Sequence, residues 1–313
     1  MLHDAIETRI GSLEIFDHRD VAWAKVRKTA YLIHQRLHYA YPGDIHDLRQ
    51  RLMIVPPERY GGQRLVTYKL EVSSPSHEIE RTEDEFGNCV LHLSVAHVER
   101  EIAFTAWIVV ERDATADPVI VSAQGRAARE PPVRNLFLES TPLTMPDDAL
   151  RAVAATLQAK DGDALPLAEH INRWVHGAMS YAHGVTGVRT PAADALTTGR
   201  GVCQDYAHIM LVLCRLCGLP ARYVSGHLLG EGGTHAWVEV LLPDPTDAGR
   251  LVAHPFDPTN GCIPGLTYIT VAVGRDYGDV APTSGTFRAP YAGSLSAHKR
   301  AEITALEYFP ETD

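Results

Sequence analysis

Polar and apolar positions change rhythm near the middle of the chain. Residues 28–125 alternate with a period close to two, the pattern of half-buried strands. KTAYLIHQRLHYAY is rich in β-forming residues and runs into the turn signal Pro42-Gly43. In RLVTYKLEVSS, Leu65, Thr67, Lys69 and Glu71 oppose Val66, Tyr68, Leu70 and Val72. Gly87-Asn88 divides ERTEDEFGNCVLHLSVAHVE into a hairpin, and EIAFTAWIVVER supplies a further strand. The acidic ERTEDE run is a solvated face beside that turn. Several strands at short spacing with polar turns predict a β-sandwich.

Residues 126–145 contain Pro131, Pro132 and Pro142 and read as a linker. Beyond them the period lengthens to that of helices. Pro146 opens MPDDALRAVAATLQAK, with Asp147 and Asp148 in the first turn and Lys160 at the end, matching the helix dipole. A second helix is predicted over LAEHINRWVHGAMSY. A third, Cys203 to Cys217, is apolar on most sides and is therefore a buried helix. It stops at Gly218, with Pro220 just beyond. ARYVSGHLL, HAWVEVLL and RLVAHPFD then read as antiparallel strands. The expected class is α+β. The expected division is an N-terminal extension 1–27, a β-rich unit 28–125, a linker 126–145 and a second unit 146–313.

Composition narrows the function. Of the 313 residues, 45% are hydrophobic and 22% charged, which excludes a disordered chain or a collagen-like repeat. The net charge of −10 argues against nucleic acid as a partner, because phosphate binding needs a basic face. No run approaches the ~20 apolar residues of a membrane helix, so no membrane partner is expected. The first residues are acidic and lack the apolar stretch of a signal peptide. The five cysteines, Cys89, Cys203, Cys214, Cys217 and Cys262, are odd in number and unevenly placed. They form no disulfide framework, which suggests a reduced, cytoplasmic protein.

Three segments carry chemistry. In GRGVCQDYAH a Gly-rich loop meets the start of the buried helix and places Cys203 in its first turn. Free N–H groups and the helix dipole there favour a thiolate, the reactive form of cysteine. In GGTHAWVEVLL, His235 stands at the mouth of an apolar strand, a suitable post for a general base. In HPFDPTNG, Asp257 ends the next strand. Each of these residues alone fits a structural role: a buried cysteine, a surface histidine, a turn aspartate. Their order and intervals, 203 to 235 and 235 to 257, match nucleophile, base and orienter, with His235 and Asp257 on neighbouring strands. Other motifs have plainer readings. His34 and His38 would have zinc-ligand spacing only on a helix, and their segment reads as a strand. Cys214-x-x-Cys217 closes a helix instead of opening one, which suits packing better than redox chemistry.

GRGVCQDYAHIMLVLCRLCGLPARYVSGHLL, THAWVEVLLP and FDPTNG, in that order, resemble the bacterial transglutaminase-like family of papain-fold cysteine enzymes. SYAHGVTGVRTPAADAL and VGRDYGDVAPTSG fit as well, and YKLEV and DEFGN resemble the family's N-terminal β domain. The likeness spans roughly residues 28–290. It implies a papain-like core carrying Cys203 as nucleophile, His235 as base and Asp257 as its orienter, which makes 146–313 the catalytic unit. The implied reaction is acyl transfer from a peptide or protein amide through a thioester on Cys203. The backbone N–H of Cys203, at the helix start, is the expected oxyanion donor, and Tyr181 or Gln204 are candidates for a second. Trp237 should share a face with His235 and could screen it from water. The reaction calls for no cofactor or metal, and no D-x-D-x-D-G calcium loop is present. Three functions stay open: a hydrolytic protease or amidase, which the residues favour, a transamidase with the same triad, and a non-catalytic peptide-binding protein. Substrate identity would lie in loops near 183–190, 227–234 and 282–294. Oligomeric state is left open.

Overall fold

The computed structural model describes residues 16–123, 133–158 and 163–310. The start of the expected N-terminal extension, part of the expected linker and the end of the first predicted helix, including Lys160, lie outside these residues. The first half forms strands β1 (Val26–Ala40), β2 (Ile45–Leu52), β3 (Arg59–Tyr60), β4 (Gln63–Val72), β5 (Glu78–Glu83), β6 (Cys89–Val98), β7 (Glu101–Asp113) and β8 (Ile120–Ser122). Helices α1 (Val133–Leu136), α2 (Asp148–Gln158) and α3 (Ala164–Ala178) follow. Next come β9 (Ser180–Tyr181), α4 (Ala192–Thr198), β10 (Arg200–Gly201) and α5 (Cys203–Leu216). Strands β11 (Ala221–Leu228), β12 (His235–Asp244), β13 (Asp247–Phe256) and β14 (Tyr268–Gly274) complete the core. The chain continues through α6 (Tyr277–Val280), β15 (Thr283–Arg288) and β16 (Ser294–Tyr308).

The α+β class is as expected. Two sheets, ordered β16-β1-β7-β4-β3 and β15-β2-β6-β5, make the sandwich. A third, β14-β11-β12-β13-β8, is the antiparallel sheet of the core. Helix α5 lies against it, buried from Gln204 to Arg215. That near-continuous burial is why its sequence is apolar all round. α2, α3 and α4 pack on its other sides.

Strand pairing does not follow the expected division into 28–125 and 146–313. β16 pairs with β1 from Val26↔Tyr308 to Ala40↔Ser294, and β15 pairs with β2. The tail expected to belong to the second unit therefore completes both sheets of the sandwich. In the other direction, β8 leaves the first unit and pairs with β13 at the edge of the core sheet. The physical reason lies in exposure. β16 buries one side chain of its fifteen, Ile303, so it carries almost no apolar periodicity to read. β4 also departs from strict alternation. A bulge between Leu65 and Thr67 turns Val66 outward, so Leu65, Tyr68, Leu70 and Val72 all pack on the sandwich core.

Side chains weld the sandwich to the core. The Gln63 amide accepts a hydrogen bond from Thr270 N–H and donates one to the Thr270 carbonyl, at 2.9 and 2.7 Å. Asn88 does the same with Val273, at 2.8 and 2.7 Å. Both occupy the outer edge of β14. Nearby, Arg222 donates to Glu239 and to the Tyr60 hydroxyl; Arg222 and Glu239 are buried and Tyr60 is half-buried.

Candidate active site

Cys203 is positioned by the loop before it. β10 pairs in parallel with β9 and delivers the chain to the helix start. The Asp205 carboxylate accepts a hydrogen bond from Val202 N–H at 2.7 Å and another from the Thr186 hydroxyl at 2.7 Å. This is a helix cap made from inside the first turn. The same carboxylate sits directly over Gly201, where a Cβ would collide with it. Glycine is thus required by close approach. Asp205 is consumed by capping, and burial raises its pKa against the opposing effect of those hydrogen bonds. Asp205 N–H turns back to the Val202 carbonyl. The N–H groups of Cys203 and Gln204 precede the helix's own hydrogen-bond ladder. Cys203 is partly exposed, and its Sγ lies 4.0 Å from the Thr234 carbonyl oxygen, beside the start of β12.

His235 opens β12 and is 2% exposed. Its Nε2 lies 2.8 Å from Asp257 Oδ2, and its Nδ1 side meets Cys203 and Glu231. Val238 pairs with Phe256, so Asp257 falls beside Trp237 and reaches His235 diagonally. Burial disfavours the imidazolium, but the hydrogen bond to Asp257 and the nearby Cys203 and Glu231 outweigh it and push the His235 pKa up to about 11. Asp257 is fully buried. Its Oδ1 accepts from Thr259 and Asn260 N–H, and its Oδ2 from His235, the Asn260 amide and the Tyr268 hydroxyl. Burial alone would raise its pKa, yet these donors and the imidazolium hold it below the usual carboxylate range.

Trp237 shares a face with His235, as expected, and stacks on it with centroids 6.2 Å apart at 28°. Its ring passes over Gly226, where a Cβ would strike it. Tyr268 stands edge-on to Trp237 at 5.4 Å. The two rings also line a 370 Å³ cavity at the seam with the sandwich, and stand between it and His235. Tyr181 lies at the mouth, 49% exposed, within electrostatic reach of Cys203. The Gln204 side chain turns elsewhere. Its amide donates to the Val188 carbonyl at 3.3 Å and ties down the loop before α4. Its side chain is therefore committed away from an oxyanion, although its backbone N–H is well placed.

Sequence reasoning missed Tyr268, Asn260 and Glu231. Asn260 sits inside the FDPTNG motif and could have been found as an Asx-type partner of Asp257. Tyr268 and Glu231 carry no local signal. The remaining cysteines are separate from the chemistry, with one qualification. Cys214 and Cys217 are buried on α5 and at its end, and Cys89 is buried in the sandwich. Cys262 is exposed, and its Sγ lies 3.4 Å from the Tyr268 hydroxyl. His34 and His38 lie on strand β1, with the His34 ring stacked on Trp107.

The chain as a whole matches a known group. The model of the transglutaminase-like superfamily matches residues 151–249, and that of the bacterial transglutaminase-like N-terminal region matches 31–111. An uncharacterized protein of Mycobacterium leprae is 31% identical over 245 residues, covering 74% of this chain and 84% of its own. The chain belongs to the transglutaminase-like superfamily. The superfamily match spans Cys203 and His235 and stops short of Asp257. An uncharacterized Mycobacterium tuberculosis protein is 27% identical over 274 residues, covering 82% of this chain and 86% of its own. The crystal structure of a candidate cysteine protease from Cytophaga hutchinsonii superposes with a TM-score of 0.72. It covers 91% of this chain and 94% of that one at 21% identity, which shows a shared transglutaminase-like fold. Among the described residues, no helix is long and apolar enough to cross a membrane.

Proposed function

We propose that this protein is a thiol hydrolase that cleaves peptide or amide bonds through a thioester on Cys203. The observation that carries this reading is the pairing of His235. One ring nitrogen is held by a buried, five-donor carboxylate, and the other side faces the sulfur. An imidazolium held in that way stabilises the negative charge that sulfur carries when it attacks a carbonyl.

The thiolate attacks the carbonyl carbon and forms a C–S bond, while the carbonyl π electrons move to oxygen. The N–H groups of Cys203 and Gln204 face that oxyanion at the helix start. On collapse, the C–N bond breaks and His235 gives its Nδ1 proton to the leaving amine. Neutral His235 then takes a proton from water, which attacks the thioester. The acid leaves, and the thiolate and imidazolium are restored. Asp257 keeps its charge throughout and holds the ring.

The test is a peptide and amide library turned over by wild type and by Cys203→Ala. Cleavage by wild type alone supports the hydrolase. Product that forms only when a primary amine is supplied would overturn hydrolysis in favour of transfer. Iodoacetamide near neutral pH should label Cys203 at least tenfold faster than Cys89, Cys214 or Cys217. Because Cys262 is exposed beside Tyr268, the comparison belongs in a Cys262→Ser background. Equal rates would remove the activated thiolate.

A further inference from the structure

The loop between β11 and β12 borders both reacting atoms. At its far end the Thr234 carbonyl oxygen lies 4.0 Å from Cys203 Sγ. Nearer its start, Glu231 reaches across to His235, with Oε2 3.3 Å from Nδ1. The start of the loop is anchored. Leu229 packs into the sandwich core, and its N–H donates to the Thr267 carbonyl at 3.0 Å. Gly230 takes a left-handed turn, φ +89°, against the His18 ring, where a side chain would collide. Glu231 N–H then closes the turn onto the Leu228 carbonyl at 3.2 Å. Gly232 and Gly233 cross open space to β12. The position of Glu231 is therefore set by a turn of its own, not by the glycines that follow.

The fold does not use up the Glu231 carboxylate. Its side chain is 42% exposed, and among the described residues no lysine or arginine forms an ion pair with it. The atom it faces, His235 Nδ1, is shielded from solvent and makes no hydrogen bond among the described residues. That nitrogen is the one that hands a proton to the leaving amine, so the amine has to come to the same spot, beside the carboxylate. The segment before α4 borders Cys203 with uncharged side chains. Tyr181 pairs with Gly201, two residues before Cys203, and the Val188 carbonyl accepts the Gln204 amide. Both side chains are exposed, at 49% and 55%. Of these bordering side chains Glu231 is the charged one, and it stands on the side of the proton donor.

We propose that Glu231 is a specificity-determining residue, selecting substrates that carry positive charge on the leaving-amine side of the scissile bond, such as peptides with lysine or arginine directly after it. The inference rests on the reading of His235 as the proton donor to the leaving amine. A cationic group arriving there meets a carboxylate with no lysine or arginine paired to it. An acidic group arriving there is repelled by the same carboxylate, so discrimination comes from both attraction and repulsion. Glu231 forms and breaks no bond. Its removal changes which leaving groups are preferred.

Charged methanethiosulfonates read the field in the cleft without a known substrate. In Cys262→Ser protein, at low ionic strength and neutral pH, Cys203 is modified with the trimethylammonioethyl and the sulfonatoethyl reagent, and the two rates are taken as a ratio. Both reagents meet the same sulfur, so any change in its own reactivity cancels. The cation-to-anion ratio should fall about five- to tenfold in Glu231→Gln and further in Glu231→Lys. An unchanged ratio overturns the proposal and leaves the hydrolase reading standing. Peptides that differ only in the residue after the scissile bond place the effect on the leaving side. Wild type should cut those with lysine or arginine faster than those with glutamate, and Glu231→Gln should lose that preference. A preference that survives in Glu231→Gln, or that follows the residue before the bond, also overturns the proposal. Wild-type protein that cleaves no peptide or amide overturns the hydrolase reading itself and the proposal with it.

Discussion

Asp257 is the residue on which the site is hung. Five donors converge on one carboxylate that has no access to water. Asp257→Asn turns an NH₂ group toward some of those donors. It should cost about 3 kcal/mol of stability and slow Cys203 alkylation by about two orders of magnitude or more. The pH dependence follows from both shifts. Asp257 is lowered, so its contribution is present above its ordinary value of 3.8 and is lost as acid is added. His235 is raised, so its contribution is full below its ordinary value of 6.5 and fades as the pH rises toward about 11. Thermal midpoints should therefore show the widest gap between wild type and Asp257→Asn near pH 5, and a narrower gap at pH 9. An unchanged gap would mean that the ion pair adds nothing. Cys203, His235 and Asp257 were legible because each sits in a short motif with a local reason for its residue type. Tyr268 and Glu231 were not, because they reach the site only through strand register and loop placement.

The decisive element is the turn from β10 into α5. Its order depends on a carboxylate that lies over a residue with no side chain. Gly201→Ala should force Asp205 off Val202 N–H and the Thr186 hydroxyl. The expected loss is about 1–3 kcal/mol, seen as a lower thermal midpoint. Cys203 alkylation should slow in the same protein, because the helix start no longer holds the sulfur in place. Gly177→Ala, in a helix with open space around that glycine, is the control and should be neutral or stabilising. The helix itself was easy to recognise, since an all-round apolar segment ending in Gly and Pro has few alternatives. The role of Asp205 was not, because an acidic residue in a first turn has the same appearance whether it caps the helix or opposes the nucleophile.

At the scale of the molecule, the two halves read from the sequence are interleaved. A truncation after Pro282 removes β15 and β16. It strips β1 and β2 of partners and exposes long unpaired edges. That protein should aggregate or elute as oligomers in size exclusion, whereas a chain cut cleanly between two units would stay monodisperse. Edge strands such as β16, with one buried side chain, leave too faint an apolar pattern to assign to a sheet in advance. The pairing of β1 with β16 also has a consequence in time. The helices and strands from α2 to α6 are contiguous in the chain and can form from local contacts, and β1 has β7 near it in sequence, but the other edge of β1 must wait for a partner more than 250 residues away. On a ribosome moving at about 5–20 residues per second, that wait lasts on the order of tens of seconds, with one edge of β1 unpaired. In pulse-labelled hydrogen exchange during refolding, amides of α5 and β12 should gain protection before the β1 amides that pair with β16. The sandwich would then close late, when two segments far apart in the chain meet.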